Sequence, residues 1–312
     1  MTTASTIQGG LAGGLSGSAQ ADPFIPEIWA NTALEVLRNN IVLAKLCTKD
    51  SDVAAFTTGD ELSIPYPGTF VANTKTAGTS VTLQQPSGSS TTVSLNKHKE
   101  ASFLVEDAAR AVANQDIMQR YMTAAVVPIA EQIEIDLFAL YSSYSNSVGT
   151  SGTDATGATI RSAKKALTDQ KVSLNNRALV VSTKDEISLL GDSTLQSYFA
   201  FSQSDAVAEG SMGRLYGFDV YPSQLVPVVT GSPNSTKCIA LDPGAMILAM
   251  RGLPDAPDGS GARTASVEDP DSGLVVRVTT AYNATYLGVQ VTIDVLYGVA
   301  KLRNEKAVIV LT

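Results

Sequence analysis

Residues 213–227 read GRLYGFDVYPSQLVP, a short apolar run with turn residues or strand breakers at both ends. Gly213 and Gly217 can adopt backbone angles that other residues reach only at a cost. Pro222 and Pro227 have no N–H group to donate to a neighbouring strand. The stretch therefore predicts a turn, a brief strand and a stop. An ordinary surface hairpin has the same pattern, so the neighbouring segments have to decide its purpose.

The composition predicts a folded protein with one large core or two smaller ones. The chain has 312 residues and 44% hydrophobic content, and domains usually contain about 100 to 200 residues. A formal net charge of -8 and a pI near 4.7 argue against a surface that binds phosphate backbones. Direct recognition of nucleic acid is therefore not expected.

Cysteine usage and targeting signals favour a chain that folds in a reducing cytoplasm. Cys47 and Cys238 match no metal-binding or redox spacing, and free buried thiols are favoured over a disulfide, which stays an open alternative. No Lys or Arg precedes Arg38 and the first residues lack the apolar region of a signal peptide, so secretion is not expected. No run of about 18 apolar residues occurs, so no contact with a membrane is expected.

The N-terminal segment predicts an arm followed by a helix. The first residues are rich in Gly, Ser, Thr and Ala, a composition that buries too little apolar surface to become ordered by itself. Pro26 suits a first helical turn, and apolar residues then recur at helical spacing at Trp29, Leu34, Leu37 and Ile41. The only tryptophan lies in this stripe, and it can pack on the core of its own chain or on a neighbour's.

From Gly59 the chain alternates apolar and polar side chains in short runs separated by Pro, Gly and Ser. We expect strands at residues 62–66, 80–84, 91–96 and 101–105. The segment has few large apolar residues, which favours a long two-stranded excursion over a core sheet. Because such a ribbon is marginal in water by itself, something outside the chain is expected to hold it.

Helices dominate the middle of the chain. Apolar residues at helical spacing predict a long helix over residues 107–144, with a kink or a restart at Pro128. A second helix is expected at residues 160–169, after a break rich in Gly, Ser and Thr. A strand is expected at residues 178–182.

Three local patterns mark the C-terminal half. Thr183 precedes Glu186 by three residues, a capping box that predicts the start of a third helix. Residues 238–252 predict a strand, an Asp-Pro-Gly turn and an apolar segment. Near the end, an alternation with a period of two predicts a strand with one buried face, formed by Val289, Val291, Ile293 and Val295 against Gln290, Thr292 and Asp294.

The residues that catalysis would need are scarce. His98 is the only histidine, and its charged neighbours predict a solvated side chain. Glu131 and Glu134 share a helix face, but no histidine joins them, which favours a solvated or ion-paired face over a metal site. No phosphate-binding loop occurs in the sequence. We therefore expect no enzyme activity, no cofactor and no metal.

The order of these elements resembles the major capsid (coat) proteins of tailed bacteriophages, whose fold is shared with encapsulin shells. The resemblance covers nearly the whole chain and depends on order and spacing more than on any one motif. Coat proteins often place a Gly turn and a strand ending in Ser and Pro in their axial domain, as residues 213–227 do. The stretches that carry the resemblance are FIPEIWA, GDELSIPYPG, KHKEASFLVEDAARA, IAEQIEIDLFALY, ALVVSTKDEISLL, GSMGRLYGFDVYPSQLVP and LDPGAMILAM.

The resemblance implies an α+β fold in four parts. An N-terminal arm with its helix would take residues 1–55, and an extended β loop would take residues 56–105. A peripheral domain with a long spine helix would combine residues 106–150 and 265–312, and an axial domain would take residues 151–264.

The function that this fold implies is that of a shell protein. Hexamers and pentamers would assemble into an icosahedral capsid around double-stranded DNA, without sequence-specific contact to the DNA. The other expected partners are a separate scaffolding protein, a portal and a decoration protein. The expected location is the virion capsid, after assembly in the host cytoplasm.

The resemblance also implies contacts between subunits, which we expect at Phe24, Trp29, Tyr66, Phe70, Lys75, Gly217, Phe218 and Tyr221. Some coat proteins form covalent crosslinks between Lys and Asn. Lys75, near the tip of the excursion, is the only lysine placed for one, but no partner Asn can be assigned, and an ordinary solvated lysine is favoured.

Three other functions stay open. An encapsulin-like compartment would use the same fold to enclose a cargo protein, and the packaged contents would distinguish it from a capsid. A secreted adhesive protein fits the Ser-, Thr- and Gly-rich loops but not the missing signal peptide. A hydrolase using Ser and acidic residues would have His98 as its one candidate base, and loss of an activity on substituting His98 would support it.

Overall fold

The computed structural model describes Gly68 and residues 26–50, 61–66, 70–85, 88–108, 116–192, 212–257, 259–269 and 274–312. The predicted arm, with Phe24, lies outside the described residues. The helices of the described part are α1 (Pro26–Asn40), α2 (Leu43–Leu46), α3 (Asp116–Phe138), α4 (Gly157–Asp169) and α5 (Thr183–Gly191), with 3₁₀ turns at Ala139–Ser143, Pro243–Ala245 and Asn304–Lys306.

The strands of the described part are β1 (Thr48–Asp50), β2 (Glu61–Tyr66), β3 (Ser89–Ser94), β4 (Lys97–Glu106), β5 (Ser147–Gly149), β6 (Ala178–Ser182), β7 (Arg214–Leu215), β8 (Phe218–Ser223), β9 (Val228–Val229), β10 (Ser235–Leu241), β11 (Met246–Arg251), β12 (Ala262–Asp269), β13 (Leu274–Asn283), β14 (Gly288–Lys301) and β15 (Ala307–Leu311).

Contacts divide the chain into two compact units, and the first takes the described residues of 1–40, 98–130 and 252–296. Its sheet is antiparallel, with β13 paired to β12 on one side and to β14 on the other. Helix α1 packs on β12 and β13. The apolar stripe predicted for α1 faces this core, because Trp29 is 6% exposed and Leu37 is fully buried. Trp29 is largely covered by its own chain, and the contact with a neighbouring subunit expected for it stays a prediction.

The second unit takes the described residues of 41–97, 131–251 and 297–312. Its main sheet has the strand order β5-β15-β10-β6-β8-β7. Strand β10 is antiparallel to β15 and to β6, while β8 is parallel to β6. Helix α4 packs on β15 and β5, and helix α5 packs on β6 and β8. Every residue of β6 is buried, so this short apolar strand lies at the centre of the unit.

Most of the predicted elements are present. The strand at residues 178–182 is β6, and the helix at residues 160–169 is the body of α4. Helix α4 begins earlier, at Gly157, because the Thr156 side chain accepts a hydrogen bond from the N–H of Thr159 and caps the helix. The long predicted helix is α3 with its 3₁₀ turn, and α3 continues through Pro128 instead of restarting there.

Two predictions about local structure were wrong: one about the start of a helix and one about a strand. The capping box lies one residue earlier than expected, since the Ser182 side chain accepts from the N–H of Asp185. The strand expected at residues 80–84 is absent from the described structure, where these residues have no strand pairing.

The stretch at residues 213–227 forms the turn and strand that the sequence predicts. Gly213 and Gly217 have φ angles of 54° and 92°, in the left-handed region that favours glycine. Strand β8 pairs with β6 along almost its whole length. Strand β7 pairs only with the first two residues of β8. Pro222 lies in the part of β8 that has a partner on one side, where a missing N–H group is tolerated.

Candidate intersubunit surface

The β2–β3 ribbon is anchored at its base. The two strands pair in antiparallel register from Glu61 with Ser94 to Tyr66 with Ser89. The guanidinium of Arg303 lies 5.5 Å from the centre of the Tyr66 ring. Apolar side chains of the base pack in one cluster, formed by Leu62, Ile64, Val93, Leu95, Ile247, Ala249, Ala300 and Leu302. The base of the ribbon is thus part of the core of the second unit.

Beyond this base the ribbon leaves the core. Every residue from 70 to 85 is exposed. Four of them are large and apolar: Phe70, Val71, Val81 and Leu83 are 65%, 68%, 66% and 91% exposed. A cluster of exposed apolar side chains on one segment is typical of a surface that another molecule covers. We call residues 70–85 the ribbon tip.

A glutamine side chain joins the two legs of the ribbon tip. The N–H of Val71 donates to Gln84 Oε1 at 2.8 Å, and Gln84 Nε2 donates back to the carbonyl oxygen of Val71 at 2.5 Å. The side-chain amide therefore makes the pair of hydrogen bonds that a neighbouring strand would make. These bonds satisfy the backbone groups of Val71, whereas the backbone of residues 80–84 lies in an exposed segment.

Lys75 closes the turn at the end of the ribbon tip. Its ammonium group donates to the carbonyl oxygen of Thr76 at 3.1 Å and also to that of Thr79. The Thr79 hydroxyl donates to the same Thr76 carbonyl at 2.8 Å, and Gly78 has a φ angle of 81°. Lys75 is thus exposed and bonded to its own turn, and a contact with another subunit stays a prediction.

The β7–β8 hairpin contains three more of the residues expected between subunits. Gly217 forms the turn, and Tyr221 is 38% exposed on the edge of β8. Phe218 is fully buried in the core of the second unit, and the contact with a neighbour expected for it stays a prediction. Arg161 supports the turn, because its guanidinium lies 5.3 Å from the Tyr216 ring centre and donates to the Tyr216 hydroxyl at 2.9 Å.

Glu134 is buried, contrary to the solvated face expected for it and Glu131. Glu131 is exposed, but Glu134 is only 1% exposed. Its carboxylate accepts hydrogen bonds from the backbone N–H groups of Val42, Leu43 and Ala44 at 2.9 to 3.0 Å. Burial raises the pKa of Glu134, and the three N–H groups counteract part of this increase. The side chain caps α2 instead of forming part of a metal site.

Asp294 was expected on the exposed face of β14, and it is also buried. It is 3% exposed and accepts two hydrogen bonds from Arg277, at 3.0 Å from Nε and 2.6 Å from Nη2. His98 Nε2 lies 2.8 Å from Asp294 Oδ2, so the histidine is half-exposed and paired instead of freely solvated. The one histidine is therefore bound into a structural ion-pair network.

Both cysteines are free and buried, as the sequence favours. Cys47 Sγ donates to the carbonyl oxygen of Leu43, and Cys238 Sγ donates to Asp185 Oδ2, each at 3.1 Å. Asp185 Oδ2 also accepts hydrogen bonds from the hydroxyl groups of Ser182 and Thr312, so three side chains donate to this buried oxygen. Burial is the main cause that raises the pKa of both thiols.

The described residues contain neither a metal-binding cluster nor a membrane-spanning helix. Nowhere among them do three or more His, Cys, Asp or Glu side chains cluster as ligands of a metal ion would. No helix within the same residues has the length and apolar character needed to cross a bilayer.

Residues 88–301 match the family described as phage capsid protein. The chain belongs to the phage capsid protein family. It is therefore a capsid shell protein, whose place is the virion capsid and whose copies associate with one another. The family and the fold are those of a structural protein. A search of curated proteins gave no match.

Solved structures with a similar fold come from phage capsids. A structure from Mycobacterium phage Che8 has a TM-score of 0.59 and 18% identity, over 86% of this chain and 90% of that one. The capsid of cyanophage P-SCSP1u has a TM-score of 0.63 and 14% identity, over 86% and 87%. The head of Helicobacter pylori bacteriophage KHP40 has a TM-score of 0.62 and 11% identity, over 86% and 88%. The predicted α+β capsid fold is confirmed.

Proposed function

We propose that this capsid protein assembles through hexamers and pentamers into a closed icosahedral shell around double-stranded DNA, and that it catalyses no reaction. One observation carries the proposal. The ribbon tip is exposed along its whole length and carries four large apolar side chains, although its base is fixed in a well-packed core. A protein that functions alone rarely maintains such a segment.

The ribbon tip would lie on a neighbouring subunit, with Phe70, Lys75 and the ring of Tyr66 near the contact. Gly217 and Tyr221, at the edge of β8, would face another copy around a symmetry axis. Such contacts are heterologous and repeat around a ring, so they can close into a shell. Each contact can be weak while the lattice as a whole is stable, because every subunit makes several contacts at once.

The four-part division is proposed as the working anatomy of the subunit. Residues 1–55 would be the arm and its helix, and residues 56–105 the extended loop. Residues 106–150 and 265–312 would form the peripheral domain, and residues 151–264 the axial domain. The arm, with Phe24, would clasp a neighbouring subunit and gain its order there.

The proposed partners follow from the same role. A separate scaffolding protein would guide assembly in the host cytoplasm, a portal would replace one pentamer, and a decoration protein would bind the finished shell. The net charge of -8 suits a container whose wall does not bind the packaged DNA tightly.

Electron microscopy of the purified protein, combined with analysis of the particle contents, tests this proposal. We expect rings, sheets or closed shells, and nuclease-protected double-stranded DNA inside particles purified from infected cells. A cargo protein in place of DNA would support the encapsulin-like alternative. A compact monomer at every protein and salt concentration would contradict any shell function.

A further inference from the structure

We propose that Gln84 is a positioning residue that fixes the shape of the ribbon tip before a neighbouring copy of the chain binds it. This inference rests on the proposed function, in which the ribbon tip contacts another subunit. It assigns a specific role to one exposed side chain that no motif in the sequence marks.

Gln84 connects the two legs at the start of the ribbon tip. Gln84 makes two hydrogen bonds to the backbone of Val71, one as an acceptor and one as a donor, across 13 positions of sequence. A primary amide has both functions on neighbouring atoms, so it can reproduce both halves of a strand pair. An exposed glutamine that points into solvent would do neither.

Few hydrogen bonds join the rest of the described ribbon tip. Within the described residues of the tip, the only backbone-to-backbone hydrogen bond is that from Thr79 to Thr76, in the turn itself. The gap between the legs measures about 240 Å³ and is lined by Asn73, Thr74, Lys75, Ser80, Val81, Thr82 and Gln84. The legs are therefore held together by side chains alone, by Gln84 at one end and by Lys75 at the other.

The two legs that Gln84 and Lys75 hold together carry exposed apolar side chains. Phe70 and Val71 on one leg and Val81 and Leu83 on the other are all more than half exposed. The Gln84 bonds join the leg that carries Phe70 and Val71 to the leg that carries Val81 and Leu83. A surface fixed in advance loses less conformational entropy on binding than two loose legs do. The occupant that fits is a second copy of this chain, since its family builds shells from identical subunits.

Gln85 provides a matched control. It is the same amino acid at the next position and is also exposed, and its side chain makes no hydrogen bond in the described structure. Gln84→Ala and Gln85→Ala therefore remove the same atoms from adjacent positions of the ribbon tip. The difference between the two variants isolates the contacts with Val71.

Hydrogen exchange and assembly kinetics of the full chain test the proposal. In the unassembled protein, Gln84→Ala is expected to speed amide exchange at Val71, while Gln85→Ala leaves it unchanged. In assembly followed by light scattering, Gln84→Ala is expected to raise the critical concentration about three- to tenfold. The melting temperature of the unassembled subunit should stay the same, because the ribbon tip lies outside the core. Gln84→Glu, which keeps the acceptor and loses the donor, should be intermediate in both readouts.

The outcomes separate this inference from the proposed function. If the wild-type chain forms no shell, the proposed function fails and the inference fails with it. If the wild type forms shells and the alanine variants of Gln84 and Gln85 assemble alike, only the inference fails. Unchanged exchange at Val71 in Gln84→Ala would also overturn it.

Discussion

Glu134 Oε2 accepts a hydrogen bond from the backbone N–H of Leu43 at 2.9 Å, although 91 positions separate the two residues. The other carboxylate oxygen accepts from Val42 and Ala44. The first N–H groups of a helix have no partner within it, and here one buried side chain supplies all three bonds. The start of α2 therefore depends on a residue of α3.

Replacing Glu134 with Gln should destabilise the subunit. The amide keeps one acceptor oxygen, but its NH₂ group faces backbone donors and leaves them without a partner. We expect the free energy of unfolding to fall by about 1 to 3 kcal/mol, measured by chemical denaturation of the unassembled protein. Glu131→Gln, at the exposed position on the same helix, is the control and should have no effect. Equal stability of the two variants would show that the cap contributes nothing.

Asp294→Asn should weaken the first unit. The substitution removes the charge that balances Arg277, whose side chain is only 20% exposed. We expect a loss of about 1 to 3 kcal/mol in unfolding free energy, measured in the same way. Asp169→Asn breaks a solvent-exposed pair with Lys165 and should leave stability unchanged within error. A loss of the same size in both variants would contradict the role assigned to burial.

Gly217→Ala should strain the turn between β7 and β8. Its φ angle of 92° is costly for any residue with a Cβ, whereas no atom but those of the flexible Lys164 side chain lies within 4 Å of the added methyl group. The expected loss is therefore conformational, about 1 kcal/mol, seen as a lower melting temperature. Gly191→Ala is the control, because Gly191 has an ordinary φ angle and open space around it. A melting temperature unchanged by Gly217→Ala would refute the argument.

The two thiols should resist modification in the folded protein. Both are buried and have a raised pKa, so little thiolate forms at pH 8. We expect no reaction with a thiol-specific reagent in the native subunit, and reaction of both cysteines after denaturation, counted by mass spectrometry. Rapid labelling of Cys47 or Cys238 without denaturant would mean that the thiol is accessible.

The sequence predicted those elements whose signal is local. Strand β6 is an unbroken apolar run, and the ribbon base and the turn at Gly217 have the alternation and the turn residues that define them. Trp29 shows the limit of such patterns, because an apolar stripe shows that a residue will be covered but not by which copy of the chain.

The features that the sequence did not reveal involve partners far apart in the chain. Glu134 and Asp294 look like ordinary surface carboxylates until Leu43 and Arg277 are placed beside them. Gln84 looks like its neighbour Gln85, and only the fold of the ribbon shows which one reaches Val71. A single charged or amide side chain gives no periodic signal in the sequence. Its role is therefore visible only once the tertiary structure shows its partner.

The most direct test of the shell account is a cryo-electron microscopy reconstruction of the assembled protein that resolves the ribbon tip. We predict that Phe70 and Leu83, exposed in the single subunit, are covered by a neighbouring subunit in the particle. A ribbon tip that stays exposed to solvent in the particle, or folds back onto its own subunit, would contradict it.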